Sequence, residues 1–149
     1  MQAKPTLMPV LIGLGTCIVG VVNGWIFTFV EVGILREPPE NALPVALSMV
    51  PGLLGLMTLF TLLLIPAGIG ILLHQTWGKT LASSMTLGSV ITSGLGGVLG
   101  GSGLAFGYGD VMSLFGWGFL TGLVWAICLN LAFKARSMKN AFEATPGPQ

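Results

Sequence analysis

Asn23 and Glu31 stand out first, because each is a polar side chain set at the middle or end of a long apolar run. With Gly20, Gly24 and Phe27 they share one helical face by the i, i+3, i+4, i+7 rule. Polar groups at membrane depth are costly, which makes them candidates for ligand or ion contact. Asn130, in a later apolar run, is the third such group. The competing structural reading is interhelical hydrogen bonding for Asn23, worth about 0.6 kcal/mol on average, and placement among headgroups for Glu31. The chemistry on offer is coordination and hydrogen bonding. One histidine, His74, and five scattered carboxylates furnish neither a usual acid–base pair nor a closed metal site. The expectation is therefore a non-enzyme with no catalytic and no metal residues, and the sequence names no cofactor.

Two motifs invite a sharper reading. The stretch AFGYGDV, residues 105 to 111, resembles the filter of potassium channels, in which TVGYG loops present carbonyl oxygens to the ion. Ala105 and Phe106 stand where that pattern has Thr and Val. Making residues 80 to 104 a re-entrant segment would also move Lys79 to the outer side and break the charge asymmetry described below. The stretch reads instead as a tight outer turn. In it Gly107 and Gly109 permit positive φ, Tyr108 anchors at headgroup depth and Asp110 caps the next helix. WGKT, residues 77 to 80, lacks the first glycine of a phosphate-binding loop, since position 73 is Leu73. Trp77 and Lys79 read as interfacial anchors, and His74 as a partly wetted helix-end residue. Cys17 and Cys128 form no CxxC pair. In antiparallel first and fourth helices they would sit on the order of 8 Å apart in depth, so both read as small apolar fillers.

The elements that must position these groups follow from composition. The 149 residues are 53% hydrophobic and only 7% charged, with mean hydropathy +0.90; soluble domains carry roughly 25% charged residues. Four charge-poor runs each exceed the ~20 residues needed to cross a bilayer. They predict a single all-α domain, a four-transmembrane-helix bundle with helices at about 8–31, 46–73, 80–104 and 111–133 and a short polar tail over 134–149. A cleaved export signal is disfavoured, because the apolar character of the first run continues to Val30, past any small-residue site near LGTC at 14 to 17. Lys4, Lys79, Lys134, Arg136 and Lys139 fall on one side and Arg36 on the other, which predicts both termini in the cytoplasm. Net charge +1 with no basic stripe excludes a nucleic-acid partner.

Membrane helices associate by close packing, and small residues four apart let backbones approach. The first span carries Thr16, Gly20, Gly24 and Thr28. The third carries Ser89, Ser93, Gly97 and Gly101, with Gly96 and Gly100 beside them, and the fourth carries Gly118, Gly122, Ala126 and Asn130. The second span differs: Pro51 lies near its first turn, and Pro66 should kink it about two turns before its end. The layout resembles small four-span bacterial membrane proteins in general style and points to no one family. The expected partners are membrane lipid and a membrane-protein partner or a second copy, in a bacterial cytoplasmic membrane. The leading expectation is an accessory or assembly subunit packed through Gly20, Gly24, Ser93, Gly97, Gly101, Gly118 and Gly122. A small oligomeric transporter or channel using the polar face of the first helix is the alternative, and a lipid- or pigment-binding protein a further one.

Overall fold

The runs of apolar residues fold as helices in the computed structural model, which describes residues 7–102 and 108–143, apart from the side chains of Asp110, Arg136, Ser137 and Ala141 and the surroundings of Gly101. The order is α1 (Leu7–Arg36), α2 (Pro44–Leu62), α3 (Leu64–Leu72), α4 (Thr76–Gly101), α5 (Gly109–Lys134) and α6 (Arg136–Glu143). The spans Leu7–Arg36, Pro44–Leu72, Thr76–Gly100 and Val111–Lys134 are each long and apolar enough to cross a membrane.

Proline chemistry sets the second span. Pro44 occupies the first turn of α2, where its missing N–H costs nothing. Pro51 lies past the first turn, inside the helix, and the helix continues through it. The break expected at Pro66 appears at Leu63, because a proline ring clashes with the carbonyl four residues before it, here that of Leu62. The chain resumes as α3 with Ala67 N–H donating to the Leu63 carbonyl at 3.3 Å.

α3 ends in a turn that brings α4 straight back. Gln75 N–H donates to the Gly70 carbonyl at 2.8 Å and His74 N–H to the Ile71 carbonyl at 3.0 Å, the paired bonds of a Schellman ending. His74 holds the left-handed position of that ending, with φ 57°, where glycine is usual. The turn is so tight that a Cβ on Gly78 would stand 2.6 Å from the Ile71 nitrogen and 2.7 Å from the Gly70 Cα. Consequently α4 begins at Thr76, earlier than the expected 80, and Trp77 and Lys79 belong to its first turn.

α1 packs along α2 and α3, α4 lies against α2, α3 and α5, and α1 meets α5 only slightly. The α1 interface is built on contact between backbones: a Cβ on Gly20 would come within 2.8 Å of the Thr61 carbonyl oxygen. One core cluster joins Phe27, Ile34, Ala46, Val50, Leu54, Met57, Tyr108 and Phe115. A second joins Ala67, Ile71, Ala82, Leu129 and Met138 at the opposite end. The start of α1, the α3–α4 turn, the end of α5 and α6 share that second end, where Phe142 meets the His74 ring edge-on with centroids 6.1 Å apart.

The tail expected to be merely polar forms α6, which folds across this end with Met138 only 1% exposed. The start of α5 also differs from expectation. Gly109 is the first helical residue of α5, Tyr108 is the cap residue and donates no side-chain cap bond, and Asp110 falls in the first turn. Ala105, Phe106 and Gly107 lie outside the described residues.

Candidate functional site

The polar face of α1 resolves into two separate hydrogen bonds. Asn23, 6% exposed, accepts through Oδ1 from Trp117 Nε1 at 3.4 Å, which ties α1 to α5 where they otherwise barely touch. Glu31 lies inside α1, because the helix runs five residues beyond its expected end at 31. Its carboxylate is half-buried and reaches α2, where Thr58 donates from Oγ1 to Oε2 at 3.0 Å. Gly55 makes the room, since a Cβ there would stand 3.0 Å from Glu31 Oε1. Eight residues of helix, about 12 Å, separate Asn23 from Glu31, and the structure assigns them different partners rather than one ligand set.

The interior hydroxyls are similarly engaged. Thr16, Thr61, Thr86, Thr92 and Ser93 each donate to the carbonyl four residues earlier, at 2.7 to 2.8 Å. Such back-bonding satisfies a hydroxyl without help from another helix. Cys17 donates from Sγ toward the Ile65 carbonyl at 3.4 Å, and Cys128 is exposed; both are free thiols.

Among the glycines expected to pack, the structure separates two kinds. Gly20 abuts Thr61 and Ile65, Gly24 abuts Leu62, Gly118 faces Met57 and Ser93, and Gly122 faces Val90. Among the described residues nothing from a neighbouring element lies within 4 Å of where a Cβ on Gly97 would be, and the same holds for Gly116, which belongs to none of the expected stripes. Ser93 is buried, 1% exposed, with its hydroxyl 3.6 Å from the Met57 sulfur. Gly101 is the last residue of α4. Tyr108 lies inside the bundle at 1% exposure rather than on its surface, and its hydroxyl has no hydrogen-bond partner among the described residues. Burial pushes the Tyr108 phenol above its ordinary pKa.

Two recesses flank Lys79 at the end that carries the lysines. A groove of about 430 Å³ runs between α4 and α5, its mouth formed by Lys79 and Lys134 and its walls by Ser83, Leu87, Asn130 and Phe133. Lys79 Nζ stands 5.2 Å from the centroid of the Phe133 ring, a cation–π contact that holds the ammonium across the mouth. A smaller recess of about 260 Å³ on the other side of Lys79 is bounded by α6 through Met138, Lys139, Phe142 and Glu143. Lys79 and Asn130 line the same groove, whereas neither Asn23 nor Glu31 lines these recesses.

α6 and the groove are what sequence reasoning missed. Met138 and Phe142 recur four apart beside Lys139 and Glu143, which pair at 3.9 Å. That amphipathic pattern was available in the tail. The groove had a subtler signal. Ser83 and Thr86 on α4 sit opposite Ala126 and Asn130 on α5, small facing small, which leaves space between helices. Against protein families, characterised proteins and solved structures alike, the chain finds no match.

Proposed function

We propose that this chain is an integral membrane protein that works by packing: a small non-catalytic accessory or assembly subunit seated against a larger complex of a bacterial cytoplasmic membrane, with both termini and the His74 turn on the cytoplasmic side. The observation that carries membrane residence is the outward display of large apolar side chains on every long helix. Trp25 and Phe29 are each 74% exposed, Val98 68% and Leu131 66%. Soluble monomers do not leave such continuous apolar surface to water; lipid or a partner helix is its natural neighbour. The accessory role draws on Gly97 and Gly116, which stay open on that surface while the other stripes are used inside. Glycines in that setting let a partner backbone come close.

Copurification from native membranes in a mild detergent tests the reading. The expected result is a co-migrating membrane protein in constant proportion, lost with Gly97→Leu while the isolated chain stays folded; a chain that always migrates alone would contradict it. One observation favours a transporter as the second reading: a half-buried carboxylate, Glu31, is held by Thr58 about a turn from the Leu63 helix break, and broken helices beside polar groups are how many transporters form their sites. Saturable uptake by the purified chain in vesicles, abolished by Glu31→Gln, would move the assignment there.

A further inference from the structure

Lys79, Ser83 and Leu87 follow one another at i, i+4 and i+8 along α4, and Lys134, Asn130 and Ala126 do the same, in the opposite chain direction, along α5. Because the two helices are antiparallel, the two series run side by side. Each passes from an ammonium at the mouth, through a hydroxyl or amide one turn below, to an alkyl group a further turn in. Leu129 and Phe133 complete the apolar wall, and the whole gradient spans about 12 Å of depth.

The charges at the mouth are not neutralised from within. Among the described residues the ion pair at this end joins Lys139 to Glu143, which faces Lys79 from the α6 side, and leaves Lys79 and Lys134 without a carboxylate partner. Asn130 is exposed and makes no hydrogen bond among the described residues, whereas the Thr86 hydroxyl is already committed to the Ala82 carbonyl. What would satisfy the mouth is therefore an anion that also accepts hydrogen bonds. What would satisfy the walls is hydrocarbon reaching from that anion into the bilayer.

We infer that the groove between α4 and α5 binds one anionic phospholipid of the cytoplasmic leaflet. Its phosphate lies between Lys79 and Lys134 within reach of Ser83 and Asn130, and an acyl chain runs over Leu87, Ala126 and Leu129. The inference rests on the membrane reading above and adds a specific lipid class. A free phosphate ion would leave the apolar walls empty. A zwitterionic lipid would bring its own cation against two ammonium groups, and an apolar partner helix would bury both charges unpaired. Basic recesses between helices on the cytoplasmic side suit acidic headgroups for the same reasons.

The test uses the full chain in nanodiscs of phosphatidylcholine containing a minor fraction of phosphatidylglycerol, with native mass spectrometry counting the lipids that remain attached on release. Wild type should retain one phosphatidylglycerol in preference to phosphatidylcholine by about thirtyfold, about fivefold for each lysine. The double change Lys79→Gln and Lys134→Gln should remove that preference, the double change to Arg should keep it, and the joint change Lys139→Gln and Glu143→Gln, which removes a cation together with its own carboxylate, should leave it as in wild type. Added inorganic phosphate should not displace the lipid. Equal retention of the two lipids by wild type, an unchanged preference in the Gln pair, or displacement by phosphate would each overturn the inference. A chain that enters no bilayer would overturn the membrane reading with it, whereas a chain that enters and shows no lipid preference sinks this site alone.

Discussion

At the end of the bundle where α1 gives way to α2, small residues face large ones. Phe115 lies over Gly96, Met112 over Gly100, and Phe27, Phe115 and Tyr108 are at most 1% exposed. At the lysine end the same two helices, α4 and α5, set Ser83 and Thr86 against Ala126 and Asn130, and a groove of about 430 Å³ opens between them. The contrast shows that a glycine on one helix closes an interface only when its partner supplies bulk. Matched small residues close it only if the backbones themselves come together, as Gly20 and Thr61 do between α1 and α2. One bundle therefore holds a sealed half and an open half on the same pair of helices.

The α3–α4 turn, where backbones already touch, is the most sensitive place to add a side chain. Gly78→Val places side-chain carbons where the Gly70 and Ile71 backbone stands, so it should cost about 3 kcal/mol or more and yield a misfolded chain in detergent. Gly97→Leu, facing open space among the described residues, should leave the unfolding free energy of the isolated chain unchanged or raise it by up to about 1 kcal/mol. Next, the sealed half is broken by Phe115→Ala, which empties the space over Gly96 and should cost about 3 kcal/mol in a denaturant titration. Ala126→Leu supplies the missing bulk in the open half and should stabilise by about 0.5 to 1 kcal/mol, which turns the comparison around on one residue.

Smaller effects sharpen the polar contacts. Thr58→Val keeps the shape of α2 but removes the donor to Glu31, and should cost about 1 to 2 kcal/mol, recovered in part when combined with Glu31→Gln. His74→Gly relieves the left-handed backbone at the α3–α4 turn and should gain up to about 1 kcal/mol, less whatever the Phe142 contact contributes. Thermal unfolding in one detergent ranks both against wild type.

Much of this architecture is legible in the sequence, because a run of apolar residues long enough to cross a bilayer carries its own signal. The α1 glycine stripe was legible for the same reason: its spacing is local. What escaped depends on partners distant in sequence. That Gly20 would be used and Gly97 left open is decided by the Thr61 carbonyl and by the absence of any neighbour, neither of which is written in the stripe itself. The Pro66 break was displaced to Leu63 because the ring acts on the preceding turn, and α1 outran its expected end because Val32 to Leu35 keep the helix apolar past Glu31. Tyr108 reads from its place between two spans as an interfacial anchor; that it packs with Ile34, Ala46 and Phe115 at 1% exposure depends on partners distant in sequence.

In the proposed placement the bundle spans a membrane with its open, lysine-bearing end on the cytoplasmic side. Single-cysteine labelling tests it most directly, in a background carrying Cys17→Ala and Cys128→Ala, with Glu37→Cys and Lys139→Cys introduced one at a time and an impermeant maleimide applied to intact cells. Glu37→Cys should be labelled from outside, and Lys139→Cys only after the membrane is permeabilised. Labelling of both positions from outside, or of Lys139→Cys alone, would overturn that placement.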